Sequence, residues 1–180
     1  MTNTEHGDPH FTPFTILVDT REQSPFSFHG FTEQTTKTRN KQRIKVTHDL
    51  VVKTCAATLQ TGDYSIDGIQ SQITIERKSL SDLVGTLTAD RERFVRELER
   101  MSDEDYKFTA VIVEASWPML LHSNEYRMAI KKSVTRSVIA FQQRYRTQWM
   151  FAGSRREAER WTLRACERYW EDLTEEKGRS

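Results

Sequence analysis

Only two cysteines occur among the 180 residues, Cys55 and Cys166, and they lie far apart in the chain. They form no metal-ligand pair, and both are expected as reduced thiols of a cytoplasmic protein. Glycine (7) and proline (4) are scarce, which excludes collagen-like and low-complexity architectures. No apolar run approaches the roughly 20 residues that a membrane span requires. Met1 to Phe11 is polar and holds no apolar signal core, so secretion is not expected. Charge of one sign is missing too. Lys and Arg number 27 against 26 Asp and Glu, a net +1, and that balance alone neither favours nor excludes nucleic acid.

What remains is enough for one ordinary domain with a real core. Hydrophobic residues make up 36%, and nine Phe, five Tyr and four Trp are too many aromatics for a disordered chain. The charge is unevenly spread. Lys37, Arg39, Lys41, Arg43 and Lys45 form one basic stretch, and Arg127, Lys131, Lys132, Arg136, Arg144 and Arg146 form another. Acids gather at Asp103 to Asp105 and at Glu171 to Glu176. Such local stripes suit a protein that touches phosphate on one face, or an ordinary solvated surface.

The order of elements predicts a single α/β domain over 13–180. Residues 1–12 read as a flexible arm and Phe14 to Val18 as a short buried strand. Residues 24–45, with Pro25, Gly30 and many Thr, show no clear period and read as a long loop. His48 to Leu59, Asp63 to Ile66 and Ile73 to Arg77 read as strands of an antiparallel meander. Ser79 to Leu87 and Asp90 to Met101 read as helices, Phe108 to Glu114 as a buried central strand, and Pro118 as a loop or helix start. Arg127 to Arg146 is an amphipathic helix with Ile130, Val134, Val138, Phe141 and Tyr145 on one side. Trp149 to Phe151 is a short strand and 154–173 a C-terminal helix capped by Ser154.

The chemistry concentrates in Gly62-Asp63-Tyr64 and Glu76-Arg77-Lys78. On a strand, residues two apart share a face, so Glu76 and Lys78 stand together and Arg77 points away. A hairpin can bring Asp63 beside Glu76. Two carboxylates suit a hard divalent ion such as Mg²⁺, which takes oxygen ligands and keeps several waters. The lysine can hold the attacking water or offset phosphate charge. The competing reading is an exposed strand with a Lys–Glu pair.

Three blocks occur in order: Val18-Asp19-Thr20-Arg21-Glu22, Gly62-Asp63-Tyr64, and Glu76-Arg77-Lys78-Ser79-Leu80-Ser81-Asp82. Together they resemble the nuclease domain of the XPF-type structure-selective endonucleases, whose hallmark is Glu-Arg-Lys-x-x-x-Asp. The likeness continues through the Arg-rich stretch Arg91 to Arg100 and the run Ala110 to Glu114. It implies a restriction-endonuclease-like core and a Mg²⁺-dependent DNA endonuclease, with Mn²⁺ as a substitute, acting on flap or fork DNA in repair or recombination. Asp63 and Glu76 would be metal ligands, with the Arg77 carbonyl as a third, and Lys78 the catalytic lysine. Asp19 and Glu22 would act on a metal water or second ion. Arg21 would contact phosphate, as would Arg91 and Arg93, and Asp82 would fill the last motif position. Asp82 could equally serve the helix cap at Ser79. Lys132 and Arg136 form either a phosphate ridge or a wet surface.

The broad apolar side of the last helix, with Trp161, Tyr169 and Trp170, points to a homodimer or to cover for its own core. No helix–hairpin–helix module or helicase motif of the kind found in that family is recognisable. A non-catalytic DNA-binding subunit and a less selective duplex endonuclease stay open as alternatives.

Overall fold

The structure, a computed structural model, describes residues 5–39 and 41–178. At its centre lies an eight-stranded mixed sheet. The strands are β1 (Glu5–His6), β2 (His10–Asp19), β3 (Phe31–Arg39), β4 (Gln42–Ala57), β5 (Tyr64–Ile66), β6 (Ile73–Lys78), β7 (Phe108–Val113) and β8 (Gln148–Phe151). The helices are α1 (Leu80–Thr88), α2 (Arg91–Met101), α3 (Trp117–His122), α4 (Met128–Tyr145) and α5 (Arg155–Gly178). The sheet order is β1-β4-β2-β5-β6-β7-β8, with β3 also paired to β4.

Period-2 alternation sorts the strand residues between two cores. Ala110 and Ile112 join Ile73, Ile75 and Tyr64 beneath α5, whose Ala158, Leu163 and Cys166 are buried there. Val111 and Val113 face the other way, against Leu83, Phe94, Val134 and Phe141 of α1, α2 and α4. Burial on both faces is why β7 reads as a continuous apolar run. Among the described residues no helix is long and apolar enough to cross a membrane.

Three expectations are corrected. Residues 24–45 are not a long loop, because Phe31–Arg39 pairs antiparallel with Gln42 to Leu50. The two-residue period is hidden there because most members of the pair are polar. Only Phe31, Val46, His48 and Leu50 reach the body and are buried, and the turn holds no glycine or proline. The part outside regular structure, 24–30, is mostly exposed but is pinned to the body by the buried Phe26 and Phe28. Phe26 stacks on Tyr64 at 5.1 Å, and the Phe26 N–H donates to the Tyr64 hydroxyl at 2.8 Å. Glu159 of α5 accepts from the Phe28 N–H at 2.5 Å and from the Ser27 hydroxyl at 3.1 Å.

The arm 1–12 is also partly ordered. Residues 1–4 lie outside the described residues, but Glu5–His6 pairs with Val46 and Thr47, and β2 already begins at His10. Pro13, which has no N–H to give, sits where the β2–β4 register shifts between Phe11 and Thr15. The 48–77 meander fails at its first step. β5 and β6 do pair antiparallel, but β2 lies between β4 and β5. Ile16 and Leu17 are buried, and a strand so apolar takes a central place with both edges bonded.

The apolar breadth of α5 is consumed mainly within the chain. Tyr169 and Trp170 pack on the core beneath it, with Trp170 6.0 Å from Phe14. Trp161 alone among its aromatics remains 46% exposed.

Candidate active site

The ends of β2, β5 and β6 meet at one place. Gly62 turns the chain there with φ of 75°, and a Cβ on it would stand 2.1 Å from the Thr74 hydroxyl oxygen. Glycine therefore lets the backbone hug β6 and deliver Asp63. The Asp63 N–H donates to the Ile75 carbonyl at 2.9 Å, and Asp63 Oδ2 accepts from the Arg77 N–H at 2.7 Å. The Asp19 N–H donates to the Asp63 carbonyl at 2.8 Å, locking the first strand to the same point.

β6 alternates as the motif spacing predicts. Glu76 and Lys78 share one face, and the Lys78 ammonium donates to Glu76 Oε1. That ammonium also lies 5.4 Å from the centre of the Phe94 ring on α2. Arg77 points to the other face. Its guanidinium donates twice to Glu22, at 3.0 and 3.1 Å, and once to Glu114 at 3.0 Å. Arg155 from α5 donates to the same Glu114 oxygen at 2.6 Å.

The charges fall into two groups. Burial pushes the Asp19 carboxyl up, but bonds from Arg21 and the Leu59 and Arg21 N–H groups more than offset it and hold it below its usual range. Asp63 is instead pushed up to about 6, first by burial and then by repulsion from Glu22, against the Arg77 N–H bond. Glu76 is raised well above its usual range by burial and by Asp63 beside it. Burial alone would lower Lys78, but Glu76 raises it overall.

These groups line a cleft of about 510 Å³ between the strand ends, α1 and α2. Asp90, Arg93, Glu97 and Arg100 line its far wall. They are spaced three, four and three residues apart, a polar stripe beside the buried Phe94, Leu98 and Met101 of α2. That stripe was the available sequence signal for Glu97 and Arg100, which the motif reading missed. Glu97 repels the negative charge of both Asp63 and Glu76. Glu114 was also missed as a functional partner, although it directly follows β7, which runs parallel to β6.

The other candidates are placed as follows. Asp19 accepts from the Arg21 guanidinium at 2.7 and 2.9 Å, from the Arg21 N–H at 2.8 Å and from the Leu59 N–H at 2.7 Å, so both its oxygens are occupied. Glu22 is held by Arg77 and by the Ser24 N–H at 2.5 Å. The Asp82 N–H donates to the capping Ser79 hydroxyl at 3.1 Å, which leaves its exposed carboxylate at the cleft. Arg93 faces the cleft, whereas Arg91 ties α2 to α4, donating to the Ser137 hydroxyl at 2.5 Å and lying 4.6 Å from the Phe141 ring centre. Lys132 and Arg136 are exposed on α4 and do not line the cleft.

A divalent cation fits this donor set. Seven carboxylates and five basic side chains line the cleft, so it repels phosphate unless positive charge is added. Asp63 and Glu76 crowd each other, and each has an oxygen outside the bonds described above. Among the described residues no three Asp, Glu, His or Cys side chains converge on one point as a preformed cage. Asp63 and Glu76 are two carboxylates, and one or two carboxylates with water and substrate phosphate commonly make up a Mg²⁺ shell.

The sequence profile of the ERCC4 domain matches residues 18–165. Among solved structures, XPF from Aeropyrum pernix superposes with a TM-score of 0.60 at 19% identity, covering 91% of this chain and 69% of that one. XPF from Aeropyrum pernix in complex with DNA gives a TM-score of 0.60 at 20% identity, covering 89% of this chain and 66% of that one. The chain thus spans about two thirds of those structures. No curated protein sequence matches it. The mixed sheet flanked by helices is the restriction-endonuclease-like core expected from the motifs.

Proposed function

The chain belongs to the ERCC4 domain family, and on that footing we propose that it is a Mg²⁺-dependent DNA endonuclease, with Mn²⁺ able to substitute, that cuts branched DNA. The observation that carries this reading is the convergence of Asp63, Glu76 and Lys78 at one end of the sheet, inside a cleft with surplus negative charge. The neighbour solved with DNA supports the choice of substrate class.

Asp63 and Glu76 would hold the ion, with the Arg77 carbonyl beside them. When bound, it supplies Lewis acidity and a more acidic water. Lys78 keeps its ammonium form through Glu76 and offsets charge gathering on the phosphate. Arg93 and Arg100 on the α2 wall steer the adjacent phosphates. Asp19 and Glu22 act through others: Asp19 fixes Arg21 and the Leu59 N–H, and Glu22 fixes Arg77. Lys132 and Arg136 offer a phosphate ridge outside the cleft. A homodimer through α5 is part of the same reading and rests on the exposed Trp161.

Glu76→Gln and Asp63→Asn test the centre of the proposal on flap, fork, single-stranded and linear duplex DNA with Mg²⁺ or Mn²⁺. Both variants should lose cleavage and keep DNA binding. Substantial turnover by Glu76→Gln in saturating Mn²⁺ would remove the metal assignment. Equal cutting of all four substrates would favour the less selective duplex endonuclease.

A further inference from the structure

The β3–β4 hairpin carries charge that the cleft does not use. Its outermost pairs are Thr36 with Lys45, Lys37 with Ile44, Thr38 with Arg43, and Arg39 with Gln42. Beyond Val46 no other described strand borders β4, because β1 pairs only at Val46 and Thr47 and β2 only from Leu50 onward. The chain there is a two-stranded ribbon projecting from the body. The side chains of Lys37, Lys41, Arg43 and Lys45 are exposed, and none of them makes a hydrogen bond or ion pair among the described residues. Arg39 meets Glu5 loosely, at 3.6 Å, with both side chains mostly exposed. No Asp or Glu occurs between Glu33 and Asp49.

Cations crowded on a ribbon repel one another, so the arrangement is unfavourable until a polyanion meets it. The rest of the chain has enough acids to neutralise its bases, yet none is placed here. Directly opposed residues share a face and neighbours alternate. Lys37 and Arg39 therefore lie on one face, and Arg43 and Lys45 on the other. A ribbon entering a groove tip-first meets a phosphate wall on each side, and the major groove admits a two-stranded ribbon.

The ribbon stands at the far end of the sheet from the cleft. β4 reaches the cleft end at Ala57, which pairs with Asp19. From there to Gln42 the strand spans about 50 Å at ~3.3 Å per residue, or roughly 15 base pairs of duplex at ~3.4 Å each.

We propose that the β3–β4 ribbon is a second contact for duplex DNA, gripping the phosphates of a substrate arm far from the scissile bond. This rests on the reading of the chain as a DNA endonuclease and extends it to the length of arm the protein senses. Fluorescence anisotropy without divalent metal tests it on forks with duplex arms of about 8 or about 25 base pairs. The proteins compared are the wild type and K37Q/K41Q/R43Q/K45Q, whose exposed substitutions relieve repulsion and should not lower the melting temperature.

The wild type should bind the long arm more tightly, with a steeper dependence of log affinity on log salt, by about 0.9 for each phosphate contacted. The variant should weaken long-arm binding by about tenfold or more, lose the extra slope, and bind the short arm as the wild type does. Wild-type affinity and slope of the variant on the long arm would overturn the proposal. So would unchanged DNA binding with an altered oligomeric mass, which would make the ribbon a protein contact. A wild type that cuts no DNA but shows ribbon-dependent binding would remove the nuclease reading and leave the ribbon contact standing. A wild type that cuts but is indifferent to the ribbon does the reverse.

Discussion

Replacing Arg77 with methionine separates support of the cleft from contact with substrate. The guanidinium is 10% exposed and bridges Glu22 and Glu114, whose side chains are 5% and 13% exposed. Methionine fills much of the same space but withdraws the guanidinium bonds from both carboxylates. Removing one partner of a buried pair costs about 3–5 kcal/mol, because the remaining charge has lost its compensation. Two supports survive the change. Arg155 still donates to Glu114 at 2.6 Å, and the Ser24 N–H still donates to Glu22 at 2.5 Å. The loss should therefore sit at the lower end, about 3 kcal/mol.

At ~2–4 °C per kcal/mol for a domain of this size, the melting temperature should fall by about 6–12 °C. Urea titration followed by circular dichroism, without added metal, gives the free energy directly. Arg77→Met combined with Glu22→Gln should recover part of the loss, with the two changes departing from additivity by about 1–3 kcal/mol. A destabilisation under about 1 kcal/mol, accompanied by complete loss of cleavage, would refute the reasoning. It would move the guanidinium from scaffold to substrate.

Two further outcomes are expected. Asp63 binds its proton more tightly when folded, with its pKa raised from 3.8 to about 6, so its stabilising contribution is full at low pH and lost as pH rises through that window. The metal-free protein should lose stability from about pH 4 to about pH 6 relative to Asp63→Asn in thermal melts; parallel pH profiles for the two would contradict this. Light scattering at micromolar concentration should give a dimer mass that Trp161→Ser returns to a monomer, and a monomeric wild type would leave α5 wholly to its own core.

Legibility in the sequence followed how local each determinant is. The long helices could be read because their apolar period repeats within one element, β7 because its apolar run is continuous, and Ser79 and Ser154 cap as their spacing predicts. The split of Glu76 and Lys78 from Arg77 needed only strand alternation. Neighbours along β4 could not be read in this way. β2 approaches it from more than thirty residues upstream, and the polar ribbon lacks the apolar period that marks a half-buried strand. Glu114 and Glu97 escaped because their value depends on which strand lies beside β6 and which wall α2 presents to the cleft.

The motif also could not say which acids are free to act. Asp19, Glu22, Asp63 and Glu76 look alike as carboxylates within the three sequence blocks, yet their surroundings divide them. Asp19 and Glu22 have their oxygens taken up by guanidinium and backbone donors. Their charge is already compensated, and binding an ion would require breaking those bonds. Asp63 and Glu76 have one ammonium between them, each other's repulsion, and Glu97 facing both. A cation placed there would reduce that repulsion at the oxygens that the Arg77 N–H and the Lys78 ammonium leave open. The arginines bound to the first pair tie the strand ends onward to the Leu59 carbonyl and to Glu114, and the second pair sits where those ends meet. One set of acids is thus spent on building the cleft, and the mutual repulsion left in the other is the ground on which the proposed divalent ion would bind there.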